Sequence, residues 1–315
     1  MSNIDLPSTF TFGGWSIRYS VLSSSKKDVS SLKPVVFVHG TPWSSAVFRP
    51  VIEALLARGS YRILVYDLPG YGQSQDYNPR DREGVSRNGF PGDTSVAFQA
   101  QALTSLLKEV DMDGEAGHPA PAVLAHDIAG TIVLRAHLLH GVEFETMLLA
   151  DANAVLPWGD GFYKLCRSNP QAFVDLPPSI FEAVVRAVTQ SACHNPKVLQ
   201  TGWEDIIAEP WTGVPSDSES ARKERQRSFV RQIAQATDGD VAEMLNGDMY
   251  AQVRCDVKVV WGESDQWIPR EKVEDLIEQL GSKFKEKAFI PNAGHLVMLD
   301  QPEQFAIEVF DWLRR

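Results

Sequence analysis

Cysteine is scarce in this chain of 315 residues. Cys166, Cys193 and Cys255 stand far apart, without the C-x-x-C spacing of a structural zinc site or a redox pair. Buried, inert thiols are expected, with no metal and no cofactor implied. An excess of positive charge is also missing. The formal net charge is −11, so the concentrated positive field that a phosphate backbone requires is absent and no nucleic-acid partner is expected. No stretch approaches the roughly 20 apolar residues that span a bilayer, and Met1 to Phe12 has neither the basic start nor the long apolar run of a secretory leader. The expectation is a cytoplasmic protein with no membrane partner. Internal repeats and low-complexity tracts are lacking too.

What is present is a sizeable hydrophobic share, 43%, enough for a full core. Its pattern alternates. Two alternating runs around Gly13-Gly14 predict an opening hairpin, and after the polar segment Ser23 to Ser31 the continuous apolar run Pro34 to Val38 predicts a strand buried on both faces. Helical periodicity from Ala46 to Arg58, an apolar run at Ile63 to Tyr66 and a second helical stretch, Thr94 to Val110, imply parallel βαβ units. The polar stretch Gln75 to Asp93 reads as a long surface loop. Pro121 to Gly130 then reads as strand, sharp turn and helix, with Thr131 to His140 continuing the helix and Thr146 to Ala150 the next strand.

From about Val155 to Tyr250 no buried strand is evident, only helical runs broken by prolines. Three tryptophans there, Trp158, Trp203 and Trp211, are more than a solvated linker carries, which predicts a helical lid packed on the core. Its basic run, Arg222 to Arg231, reads as a solvated face. Strands return at Val257 to Trp261 and Lys287 to Ile290, and a last helix begins near Pro302. The organisation expected is therefore core over residues 1–154, lid over 155–250, and core again over 251–315.

Three residues each follow an apolar strand: Asp127, Asp265 and His295. In open α/β sheets the site lies outside the carboxyl ends of the strands, so the three can converge. Their order, with an acidic residue at the sharp turn where a G-x-S-x-G elbow holds serine, makes Asp127 the central question. Taken alone it could be a helix N-cap. Asp265 could be a turn residue and His295 a loop histidine.

With these residues the chain resembles the α/β-hydrolase superfamily, and within it the aspartate-nucleophile branch of epoxide hydrolases and haloalkane and haloacetate dehalogenases. The likeness rests on His39-Gly40-Thr41-Pro42, similar to H-G-x-P, on His126-Asp127-Ile128-Ala129-Gly130, similar to H-D-x-G-G, and on Asp265 and His295. Ala129 replaces a glycine, and Ala125 holds the elbow's first small position. The resemblance implies an α/β-hydrolase fold: a mostly parallel eight-stranded sheet with helices on both faces and an inserted all-helical lid. It also implies that Asp127 attacks a saturated carbon to form an ester. A serine would leave an ether there, which activated water cannot readily cleave. His295, oriented by Asp265, then activates water. Asp151, after the preceding strand, is the position some dehalogenases use for the acid instead. The backbone N–H groups of Thr41 and Ile128 are the expected oxyanion donors, and His39 and His126 are expected to orient loops.

Haloalkane dehalogenases carry a tryptophan after the nucleophile and often H-G-N-P; haloacetate enzymes carry an arginine after it. Ile128 and Thr41 stand in those places, which moves the expectation toward an epoxide hydrolase acting on a small apolar molecule with water as co-substrate. Epoxide hydrolases use lid tyrosines as acid, and the lid offers Tyr163 and Tyr250, neither at the family's spacing. Trp158, Trp203, Trp211 and His194 are further candidates for substrate contacts. Dehalogenation, lactone or C–C cleavage, a decarboxylase or lyase reaction, and a non-enzymatic small-molecule receptor remain open alternatives. A homodimer is compatible with the sequence.

Overall fold

The computed structural model describes residues 4–23, 31–79, 86–87, 89–115, 117–159 and 161–314. Most of the polar segment Ser23 to Ser31, and part of the loop 75–93, lie outside the described residues.

The hairpin forms as β1 (Ser8–Phe12) and β2 (Trp15–Ser23), paired antiparallel through a turn with two positive-φ glycines. The apolar runs become β3 (Lys33–Val38), β4 (Tyr61–Tyr66), β5 (Ala122–His126), β6 (Thr146–Ala150), β7 (Asp256–Gly262) and β8 (Phe284–Ile290). They assemble into one eight-stranded sheet of order β1-β2-β4-β3-β5-β6-β7-β8, antiparallel only at the first two pairings. This is the α/β-hydrolase fold.

Successive side chains of a strand point to opposite faces, and here each face meets its own core. Val36, Val38, Leu64, Val123 and Leu149 pack with α2 (Val96–Glu109), α3 (Ala129–His140) and α10 (Arg270–Leu280). Val35, Phe37, Val65, Leu124 and Leu148 pack with α1 (Arg49–Arg58) and α11 (Pro302–Leu313). Strands covered on both sides cannot show polar alternation, which is why β3 and β5 read as unbroken apolar runs. All three cysteines are buried and free, and burial pushes their thiols up from the ordinary value.

Between β6 and β7 the described residues form helices and no strand: α4 (Gly161–Ser168), α5 (Pro170–Asp175), α6 (Pro178–Ser191), α7 (Trp203–Thr212), α8 (Glu219–Gln235) and α9 (Gly239–Leu245). Prolines open α5 and α6, where the missing N–H costs nothing. Ser218 starts α8 by accepting from the Ala221 N–H.

Helix α8 clasps the insert to the core. Gln232 Nε2 donates to the Gly70 carbonyl at 2.6 Å, and the Thr94 N–H and hydroxyl both reach Gln235 Oε1. The basic run departs from its expected solvated face at one end. Arg231 is 5% exposed, with its guanidinium 4.7 Å from the Trp15 ring centroid; an aromatic face and a buried stem replace water there. No helix among the described residues is long and apolar enough to cross a membrane.

Candidate active site

Strand β5 ends at His126, and the chain turns into α3 through Asp127, whose φ of +56° places a non-glycine residue in the left-handed region. Such a conformation costs on the order of 1–3 kcal/mol and persists only where the surroundings enforce it. Here they do. The Asp127 N–H donates to the Ala150 carbonyl, and its own carbonyl accepts from Gly130 and Asn153. Small residues make the turn possible: a Cβ on Gly130 would stand 2.7 Å from that of Ala152, and one on Gly40 would stand 2.5 Å from that of Asp127. Ala129, in the place of a usual glycine, is fully buried within the turn.

The turn aims the Asp127 carboxylate at two partners. Oδ2 accepts from the Thr41 N–H at 2.9 Å, and Oδ1 lies 3.5 Å from His295 Nε2. The second is an ion-pair distance, too long for a hydrogen bond, and His295 Nε2 has no hydrogen-bond partner. The Thr41–Pro42 bond is cis. Trp211 of α7 holds this loop by donating from Nε1 to the Pro42 carbonyl at 2.6 Å. Ile128 lines the cavity above Asp127 together with Thr41.

His295 Nδ1 donates to Asp265 Oδ2 at 2.8 Å, while Asp265 Oδ1 accepts from the N–H groups of Trp267 and Ile268. Asp265 is thus fixed at both oxygens. Burial alone would lower the His295 pKa, but Asp265 and Asp127 outweigh it and hold the imidazole well above its ordinary value. The ring is held by aromatic neighbours: Trp267 stacks on it at 4.8 Å, with His126 at 4.9 Å and Trp43 at 6.0 Å.

Asp151 sits behind this pair, fully buried, with Oδ1 accepting from the Gly262 N–H. Burial and the charge of Asp265 push its pKa well up, which favours the neutral acid. It makes no hydrogen bond to His295. His126 Nε2 donates to the His295 carbonyl at 2.8 Å, and burial lowers its pKa to about 3. His39 donates from Nδ1 to the Gly40 carbonyl and accepts the Leu68 N–H at Nε2. Both imidazoles therefore tie site loops together.

The remaining candidates separate sharply. Tyr163 and Trp158 line the cavity. Tyr163 meets Trp267 edge-on at 5.4 Å, and Trp158 donates to the Asn153 carbonyl. Tyr250, Trp203 and Trp211 lie outside the lining. The Tyr250 hydroxyl donates to the Ala154 carbonyl at 2.5 Å, and Trp203 packs under Arg49. His194 is exposed, its backbone N–H donating to Asp300 of the core. The cavity also brings in residues that the sequence reading missed: Tyr71, Asn153, Arg167, Gln232 and Trp267. Tyr71 and Asn153 follow β4 and β6 in the loops where such sites lie, and Trp267 is two residues past Asp265. Gln232 carries no sequence signal at all. Among the described residues no cluster of three or more His, Cys, Asp or Glu is arranged to hold a metal ion.

The chain belongs to the alpha/beta hydrolase family, whose model matches residues 35–309. Among solved structures it is similar to an alpha/beta hydrolase fold protein from Burkholderia ambifaria, at 31% identity over 98% of this chain and 99% of that one, with a TM-score of 0.81. More distant likenesses include the epoxide hydrolase CorEH, at 17% identity, 96% coverage of both chains and a TM-score of 0.69. A thermophilic esterase from Thermogutta terrifontis matches at 19% identity, covering 100% of this chain and 98% of its own, with a TM-score of 0.68. No curated protein matches.

Proposed function

We propose that this hydrolase opens epoxides through a covalent ester on Asp127. The observation that carries the reading is the pair of contacts on one carboxylate: Asp127 Oδ2 on the Thr41 N–H and Oδ1 facing His295 at 3.5 Å. A carboxylate held in this way, with an imidazole beside it and no serine or cysteine at the elbow, suits displacement at saturated carbon.

In the first step an Asp127 oxygen bonds to an epoxide carbon while the ring C–O bond breaks, and the ring oxygen takes a proton from Tyr163, the tyrosine of the insert that lines the cavity. In the second, water adds to the carbonyl carbon of the ester and gives its proton to His295. The oxyanion that develops there faces the N–H groups of Thr41 and Ile128. Its collapse breaks the ester C–O bond, and the departing alkoxide takes the proton held by His295. The second proton of the water passes from the Asp127 carboxyl to the Tyr163 phenolate, which releases the diol and restores the enzyme. Esterification removes the charge on Asp127. That withdraws one of the two carboxylates that raise the His295 pKa, so the imidazole becomes available as a base at the step that needs it.

Halide displacement has less support. The indole N–H groups nearest the site already donate within the protein: Trp158 to Asn153, Trp211 to Pro42, and Trp267 to Ser191. Trp43 Nε1 has no partner, but the residue lies outside the cavity lining.

Many turnovers of styrene oxide in ¹⁸O-water test the route. The ester mechanism predicts label in the peptide that contains Asp127, because each cycle exchanges a carboxylate oxygen with water. Diol formation with an unlabelled peptide excludes it.

A further inference from the structure

Two residues of the cavity wall carry a buried amide oxygen without a partner. Gln232 of α8 is 3% exposed, and its Nε2 donates to the Gly70 carbonyl. A carbonyl accepts only from the NH₂ end of the amide, so that bond fixes the orientation of the group. Oε1 is left without a donor. Asn153, 7% exposed, has Oδ1 in the same condition. Its backbone is fully committed, with the N–H on the Asp127 carbonyl and its own carbonyl accepting from Thr131 Oγ1 and Trp158 Nε1. Both residues line the cavity that holds Asp127.

Nearby donors of the protein do not serve them. Arg167 spends its guanidinium on the carbonyls of Trp158 and Ala236, and the Thr94 hydroxyl goes to Gln235. The same cavity lining includes the apolar Val96, Ile128, Ile233 and Trp267. A buried acceptor in such a setting favours a ligand that brings its own donor. An anionic group would be repelled by the two oxygens and by Asp127, while a cation would lose its hydration against the apolar wall. A neutral hydroxyl fits.

We propose that the substrate carries a hydroxyl besides its reacting carbon, its single proton donated to Gln232 Oε1 or Asn153 Oδ1: an epoxy alcohol rather than a hydrocarbon epoxide. The assignment rests on the epoxide-hydrolase reading above and narrows it.

The test compares phenylglycidol with 1-phenyl-1,2-epoxybutane, in which a methyl group replaces the hydroxyl. In the wild type, kcat/KM for phenylglycidol is expected to be at least about tenfold higher. Gln232→Met and Asn153→Leu each lower that ratio, and the double variant brings it to about one. Because both substrates meet the same enzyme, incomplete folding of a variant reduces both rates alike and leaves the ratio intact. A wild-type ratio near one with both epoxides hydrolysed overturns the hydroxyl assignment while leaving the hydrolase reading standing. So does a high ratio that the double variant keeps.

If neither epoxide is hydrolysed, it is the hydrolase reading that fails, and binding decides the other question. Phenylglycerol is then expected to raise Tm more than 1-phenylbutane-1,2-diol does, a difference that the double variant abolishes. Equal shifts overturn the assignment.

Discussion

The floor and the roof of the cavity are built on opposite principles. On the floor, Asp127, His295 and Asp265 stand on loops at the ends of β5, β8 and β7, and backbone N–H groups hold the carboxylates. Geometry there is over-determined: Gly40, Gly130 and the positive φ of Asp127 leave its carboxylate little freedom. The roof comes from α4 and α8, whose side chains meet the cavity through packing, and it leaves Gln232 Oε1 without a partner. In the proposed mechanism rigid backbone carries the reaction, while replaceable side chains carry the choice of substrate.

The sharpest way to break this contrast is to change the floor. Asp127→Ala should reduce kcat by at least about 10⁴-fold, the scale seen when an enzyme loses its nucleophile. The two acidic residues behind His295 should then part company. Asp265→Asn is expected to cost roughly 10²–10⁴-fold in kcat through loss of the imidazole's orientation. Asp151→Asn should leave kcat within about threefold, since the raised pKa of Asp151 favours the neutral form that an amide mimics and the side chain touches Gly262 rather than His295.

The same residue gives a stability test with a definite sign. The Asp151 pKa is raised in the folded state, so above about pH 4 the unfolded chain releases a proton that the fold retains, and folding is penalised as pH rises. Asp151→Asn removes that penalty. Its Tm should exceed the wild type's at pH 7 by more than at pH 4, and an unchanged difference counts against a buried neutral acid.

On the roof, effects should be smaller and more selective. Tyr163→Phe is expected to lower kcat for epoxide opening by about 10²-fold, the lower range for loss of a general acid. Tyr250→Phe should change kcat less than about twofold and cost about 1 kcal/mol of stability, by loss of its bond to Ala154. Equal effects of the two substitutions on kcat would remove the distinction between cavity and packing tyrosines.

The smallest effect concerns pH. A histidine whose pKa is raised on folding stabilises the protein fully below its unfolded value of about 6.5, and that contribution fades as pH rises through the folded value. Wild-type Tm should therefore fall relative to that of His295→Gln as pH is raised from 6 through this window. A constant gap would mean that the imidazole carries no extra proton.

The floor was legible in the sequence because its signals are local. An apolar run followed by Asp127, Asp265 or His295 states both the strand and the loop position, and β3 and β5 announce their double burial by lacking polar alternation. Tyr71 and Asn153 were equally accessible by that rule, since they follow β4 and β6. The roof was not legible, because which face of a helix meets the cavity depends on how the helices pack. Trp203, Trp211 and Tyr250 are as aromatic as Trp158 and Tyr163, yet they are spent on the core, Trp203 under Arg49, Trp211 on the Pro42 carbonyl and Tyr250 on the Ala154 carbonyl. Gln232 becomes visible only once α8 is seen lying over Gly70.

The central claim, a covalent ester on Asp127, is tested most directly by incubating His295→Gln with an epoxide and measuring intact mass. Without the base the ester should persist, so the protein should gain the full mass of the epoxide, with the adduct on the peptide that carries Asp127. An unmodified His295→Gln protein, under conditions where the wild type converts the same epoxide to diol, would contradict the account.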